Sequence, residues 1–202
     1  MESNDVFSSR ARALNGAKAH LFPNYMRMLL NLYDENNNTV GICNLGVAEN
    51  ELCETELVQK LNAVQRWSPS MNYYGHPIGE LSLRQELCRF FQENFRITKQ
   101  QLTPDRMIIT GGASGGFLVY SYLLTDPKDA ILIPSPYYTM IDHHVSVFTE
   151  NQIVRCPLLE QDAGKFYFSV EIFERGYDEA LTNGLQPRMI VLINPQNPLG
   201  DV

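Results

Sequence analysis

Three short segments of this 202-residue chain carry residue types at spacings suited to holding a small phosphorylated molecule. The first, Gly111-Gly-Ala-Ser-Gly-Gly116, has little side chain to keep a ligand from the backbone, and Ser114 adds a hydroxyl donor. It leads into the apolar run Phe117 to Leu124, so backbone N–H groups and the positive end of a helix would face whatever binds there, which favours a phosphate. The second, Pro134-Ser-Pro-Tyr-Tyr138, offers Tyr137 and Tyr138, each able either to lay its ring on a planar heterocycle or to fill a core. The third, Asn194-Pro-Gln-Asn-Pro-Leu-Gly200, offers Asn194 and Asn197, whose amides can donate to a phenolate oxygen or cap their own turn.

The elements around these segments give them one location. Each follows a short apolar run that predicts a strand, at Arg106 to Thr110, Ala130 to Ile133 and Arg188 to Ile193, with a further strand at Gln152 to Cys156. Strands alternating with helix-length segments imply βαβ units, an α/β fold and a mainly parallel sheet, whose carboxyl ends line a single crevice. A phosphate cradle, a stacking ring and a carboxamide at that edge describe a holder for a phosphorylated aromatic cofactor, for which pyridoxal phosphate is the natural candidate. One connecting helix is expected to begin at Ser169, capped, with Glu171 and Glu174 in an acidic start.

Before Pro104 the chain reads as helices and loops. Helices are expected near Pro23 to Tyr33 and from Glu54 to Gln65, with a polar loop at Asp34 to Thr39. From Gly79 to Arg96 the positions Leu81, Leu83, Leu87, Phe90, Phe91 and Phe95 predict a long helix with one buried face. The division this suggests is an N-terminal arm and small-domain segment over 1–78, then an incomplete cofactor-binding domain over 79–202.

Composition narrows the function. A 44% hydrophobic content supports a buried core, and 16 basic against 23 acidic residues, net −7, argue against a nucleic-acid partner. No secretory leader is legible and no stretch reaches the roughly 20 apolar residues that span a bilayer, so a soluble cytoplasmic protein without membrane contact is expected. Cys43, Cys53, Cys88 and Cys156 fit no metal spacing and read as structural, and no metal is expected.

Other glycine-rich signatures fit less well. The dinucleotide fingerprint needs glycine where Ala113 stands, and a Walker loop needs lysine where Phe117 stands. Gly112-Ala-Ser-Gly-Gly116 does satisfy the serine-hydrolase elbow, which makes Ser114 a nucleophile in the alternative reading. That reading needs an acid and then a histidine after the serine, and only His143 and His144 follow, adjacent to each other on what reads as a solvated helix face. A non-catalytic binding fragment is the other alternative.

The three segments, in this order and at these separations, resemble those of fold type I pyridoxal-phosphate enzymes of the class I/II aminotransferase family. Leu45-Gly-Val-Ala-Glu-Asn-Glu-Leu-Cys53 is similar to a segment of 1-aminocyclopropane-1-carboxylate (ACC) synthases, and Asn197-Pro-Leu-Gly-Asp-Val202 resembles the animal ACC synthase-like branch. The resemblance implies that Ala113, Ser114 and Gly115 hold the cofactor phosphate, that Tyr138 or Tyr137 stacks on its ring, and that Asn197 contacts the ring oxygen. It also implies that Glu49 lies on the substrate side and that Tyr74, or its neighbour Tyr73, reaches the phosphate of the other subunit in a homodimer. Tyr-Gly-His-Pro-Ile-Gly here departs from the shorter Tyr-His-Gly form of plant ACC synthases. An amino acid or an S-adenosylmethionine-like molecule is the implied substrate.

In such enzymes the substrate amine displaces a Schiff-base lysine from the cofactor aldehyde, and the freed lysine then shuttles protons. Lys18, Lys60 and Lys99 precede the sheet, while Lys128 and Lys165 lie in connections, so all five read as surface charges. The family places that lysine, the aspartate on the pyridine nitrogen and the substrate-carboxylate arginine after the Asn-Pro-Leu-Gly loop. The expectation is a cofactor holder that is inactive alone.

Overall fold

The computed structural model describes residues 6–9, 11–12, 21–95, 97, 101–159 and 165–200. Lys18, Lys99, Asp201 and Val202 lie outside the described residues. Two compact units form, one of Ala19–Thr110 and the other built mainly on Gly111–Val202.

The Ala19–Thr110 unit is helical. Helix α1, Leu21–Leu29, stops short of the expected Tyr33, because Tyr33 and Asp34 bond across to Ile42 and Asn38 instead. Asp34 closes that turn by accepting from the backbone N–H groups of Asn37 (2.7 Å) and Asn36 (2.9 Å), which hold its carboxyl below the usual range. Helix α2 spans Glu54–Ala63 and α3 spans Leu81–Asn94.

The apolar stripe expected to bury α3 is only partly covered. Arg84 and Cys88 are its buried residues, whereas Leu81, Leu83, Phe90 and Phe95 are exposed. Within its own unit α3 meets a single 3-10 turn, Pro104–Arg106, too small to cover a 14-residue face. Arg84 makes that contact, its Nε donating to the Gly79 carbonyl at 3.0 Å and its Nη1 to the Pro104 carbonyl. Gly79 itself has φ +98, and an added Cβ would strike the Ile109 side chain.

The strand expected at Arg106 to Thr110 does not form. Met107 is extended, but this segment joins no ladder among the described strands: the Arg106 and Met107 N–H groups bond back to the Thr103 and Pro104 carbonyls, and the Ile109 N–H bonds to the Ile78 carbonyl. An apolar run becomes a strand only when a neighbour takes its N–H and C=O groups.

The other unit holds a three-stranded parallel sheet in the order β2-β1-β3, with β1 Ala130–Ser135, β2 Gln152–Pro157 and β3 Pro187–Ile190. Central β1 is buried on both sides, as its unbroken apolar run requires. Ala130 and Leu132 face one core with Val154, Cys156 and Ile172, and Ile131 and Ile133 face a second with Tyr137, Ile141 and Val145. Helix α4, Gly112–Leu124, packs Phe117 on the second core, and helix α5, Val170–Thr182, covers the first. The expected cap of α5 is different in detail: Ser169 makes no side-chain bond to the helix backbone and bonds Glu171 instead, lowering that carboxyl.

The cysteines divide into two classes. Cys88 and Cys156 are buried, and burial pushes the Cys156 thiol up to about 11; Cys43 and Cys53 are exposed, contrary to the reading of all four as structural. A thiol reagent at pH 8 is therefore expected to modify Cys43 and Cys53 in the folded chain and the buried pair only after unfolding, since the thiolate is the reactive form. Uniform labelling of all four before unfolding would contradict this packing.

Candidate cofactor site

The glycine-rich segment is not a loop ahead of a helix but the first turn of α4, which begins at Gly112 with Gly111 as N-cap. Gly112 has φ +81, a conformation that favours glycine, and no neighbouring atom lies within 4 Å of a Cβ built at Gly111, Gly112 or Gly115. The space over this turn is open among the described residues, and Gly111 at the N-cap has no side chain to cap it. Helix geometry leaves the N–H groups of Ala113 and Ser114 without an intrahelical acceptor, while that of Gly115, one residue further on, points to the Gly111 carbonyl. Gly115 thus serves by lacking a side chain rather than by donating. Ala113 and Ser114 are exposed.

Placement of this turn follows from the other end of α4. Thr125 Oγ1, just past that end, donates to Asn151 Oδ1 at 2.9 Å, and Asn151 Nδ2 donates to the Asp126 carbonyl, which pins the end of α4 beside the start of β2. Thr149 also donates to Asn151. At about 1.5 Å per residue the 13-residue α4 is about 20 Å long, and at about 3.3 Å per residue the six-residue β1 is about 20 Å long. A helix of that length, running back from this pin along β1, matches the strand's height, which carries the start of α4 toward the carboxyl ends of the strands.

The tyrosine pair separates cleanly. Tyr137 is 8% exposed, and its hydroxyl donates to Asp142 Oδ1 at 2.5 Å. The Arg155 guanidinium lies 5.7 Å from the Tyr137 ring centre and 3.6 Å from Asp142 Oδ2. Burial, then the bond to Asp142, raises the Tyr137 phenol above its ordinary range. Tyr137 is thus a core residue, and Tyr138, 45% exposed, is the one with a ring free to meet a ligand.

Asn197 and Asn194 are exposed in the segment beyond β3. Between them, Gln196 was not singled out by sequence, yet its Nε2 donates to the Pro136 carbonyl and its Oε1 accepts the Leu199 N–H at 2.9 Å. The two proline-rich segments are thereby joined directly. A cavity of about 750 Å³ opens beside them, lined by Phe166, Tyr167, Phe168, Asn194, Gln196 and Leu199 among others, but not by Ala113, Ser114, Gly115, Tyr138 or Asn197.

His144 is not on a solvated face. It lies in a π-helical turn, His143–Val147, with its ring edge-on to Phe117 at 6.4 Å and its Nε2 buried without a hydrogen-bond partner among the described residues. Ser114 sits within a helical turn that no ladder strand enters, so the strand–turn–helix elbow of the hydrolase reading is missing among the described residues. Glu49 and Tyr74 are exposed in the Ala19–Thr110 unit, as is Tyr73. Lys60, Lys128 and Lys165 are exposed as expected. No helix among the described residues is long and apolar enough to cross a membrane.

The family described as Aminotransferase class I and II matches residues 40–202. Human 1-aminocyclopropane-1-carboxylate synthase-like protein 1 is 32% identical over 210 residues, covering 100% of this chain and 42% of its own length. Substrate-bound BacF from Bacillus subtilis has a TM-score of 0.63 at 19% identity, over 97% of this chain and 46% of that one. A Pyrococcus horikoshii kynurenine aminotransferase in complex with PMP has a TM-score of 0.54 at 21% identity, over 73% of this chain and 34% of that one. The chain spans less than half the length of each of these relatives.

Proposed function

Because this chain belongs to the class I and II aminotransferase family, whose members are pyridoxal-phosphate enzymes, we propose that it supplies the cofactor-holding part of an enzyme acting on the α-amino group of an amino acid. The observation that supports the reading is the glycine-rich first turn of α4, where Ala113 and Ser114 are exposed and a Cβ added at Gly111, Gly112 or Gly115 would meet no neighbour within 4 Å. The residues fit the group: Ala113 and Ser114 would donate to its phosphate, with Gly115 leaving room, Tyr138 would lie on its ring, and Asn197 would donate to its ring oxygen. When bound, the cofactor supplies an electron sink for bonds at the amino acid's α-carbon.

Glu49 would orient the substrate, and Tyr74 would donate to the phosphate held by a second copy in a homodimer. Both are exposed in the described unit, which leaves them open to such contacts. The reaction would be a transamination or, given the ACC synthase-like relative, an elimination from an S-adenosylmethionine-like substrate, carried out in the cytoplasm. The reacting lysine would come from outside these residues, as the family resemblance implies; here Lys60 lies on α2, Lys128 between α4 and β1, and Lys165 in the connection between β2 and α5, all exposed.

Pyridoxamine phosphate tests the holder directly, because it has the ring and phosphate but no aldehyde to react with surface lysines. Calorimetric titration of the chain is expected to show saturable one-to-one binding competed by inorganic phosphate. Absence of saturable binding at millimolar ligand would overturn the reading.

A further inference from the structure

We infer that Gln196 is a positioning residue, whose carboxamide fixes the loop bearing Tyr138 relative to the loop bearing Asn197 and so sets where an aromatic ring is held. The inference rests on the cofactor reading above. Gln196 lies one residue before Asn197, and its donor bond reaches Pro136, two residues before Tyr138 and 60 residues away along the chain. Its oxygen accepts the Leu199 N–H, which closes the second loop on itself, and the Gly200 N–H adds a bond to the Gln196 carbonyl at 2.6 Å. Both partners of the side chain are backbone groups, so the tie acts on loop position rather than on a neighbouring side chain.

The group is suited to this task. One planar amide presents a donor and an acceptor on opposite sides. Glutamate of the same length has no donor, lysine has no acceptor, and alanine has neither. Pro136 carries no N–H, so its carbonyl is the one backbone polar group it can offer to a neighbouring loop. On its far side the same loop is held by the Tyr137 hydroxyl on Asp142, so removing the Gln196 bond frees the side that faces Asn197 while the core anchor remains.

Two variants and two ligands test the inference. In Gln196→Ala and Gln196→Glu the affinity for pyridoxamine phosphate is expected to fall about tenfold, the scale of one buried hydrogen bond, while that for inorganic phosphate, which needs only the start of α4, stays unchanged. Melting temperatures are expected to shift by no more than a few degrees. Equal losses for both ligands, or no loss for either, would overturn the positioning role. Hydrogen exchange of the cofactor-free chain gives a second readout: the Leu199 amide is expected to be protected in the parent and in Gln196→Glu, and unprotected in Gln196→Ala. Identical exchange in all three would overturn the Gln196 bond that closes the second loop. A parent chain that binds neither ligand would overturn the cofactor reading, and the positioning role with it, while the exchange result still decides that closure.

Discussion

Replacing Ser114 by aspartate is expected to weaken binding of both inorganic phosphate and pyridoxamine phosphate by about 100-fold or more, with no loss of fold stability. Ser114 is the third residue of α4, where a carboxylate interacts favourably with the helix dipole and contributes about 0.3–1 kcal/mol. The same carboxylate would stand where the phosphate must sit. Two like charges about 4 Å apart repel by about 4 kcal/mol at an effective dielectric near 20, and water over this exposed turn screens part of that. At about 1.4 kcal/mol per tenfold, two-thirds of that repulsion suffices for a 100-fold loss. Ser114→Asn, neutral and equally able to start a helix, is the control. Retained phosphate affinity in Ser114→Asp, measured beside a melting curve, would place the anion site elsewhere.

Gly176→Val is expected to destabilise the sheet unit by about 3 kcal/mol, the upper end of ordinary overpacking costs. Gly176 lies within α5, and a Cβ there would sit 2.5 Å from Cys156 Sγ, 3.5 Å from Leu132 Cδ2 and 3.7 Å from Val154 Cγ1. Cys156 is fully buried and Leu132 nearly so, so neither can swing into solvent. The helix would have to lift off the sheet. Glycine's cost in a helix interior, about 1 kcal/mol, is smaller than the penalty of that separation. Combining Gly176→Ala with Cys156→Ala removes the first clash and should recover most of the loss seen in Gly176→Ala alone, a coupling that denaturant unfolding measures. Additive losses would show that Cys156 is not the obstacle.

Local chemistry made some elements legible and left others hidden. The strands at Ala130, Gln152 and Arg188 were readable because each is an apolar run that finds a partner within the same unit. The run at Arg106 to Thr110 is also apolar but joins no ladder among the described strands, and hydrophobicity alone does not report pairing. The stripe on α3 announced a buried face, but periodicity does not say whether a neighbour large enough to cover Phe90 and Phe95 exists.

At the site, two of the three segments were readable as strand ends, because βαβ connection rules put Pro134 to Tyr138 at the end of β1 and Asn194 to Gly200 after β3; the glycine-rich segment has no ladder strand ahead of it among the described residues, so that rule does not place it. The internal arrangement of the segments was not readable. Glycines 111 and 112 read as a loop, since nothing in their side chains announces a helix start. Tyr137 and Tyr138 are identical in type, and what separates them is that Tyr137 packs in the core and bonds the half-buried Asp142. His144 reads as a surface residue until Phe117, 27 positions earlier, is seen against its ring. Gln196 stands between two prolines with no neighbouring signal, because its partner at Pro136 is remote in sequence.

The central claim is that these 202 residues hold the cofactor without supplying the amine it reacts with. The most direct test is to saturate the chain with pyridoxal phosphate, reduce it with borohydride and map the labelled lysines by peptide mass spectrometry. The predicted result is scattered, sub-stoichiometric labelling of exposed lysines such as Lys60, Lys128 and Lys165, in a chain that binds pyridoxamine phosphate one to one. A single lysine labelled at full stoichiometry, or a cofactor spectrum that changes on addition of an amino acid, would contradict the account.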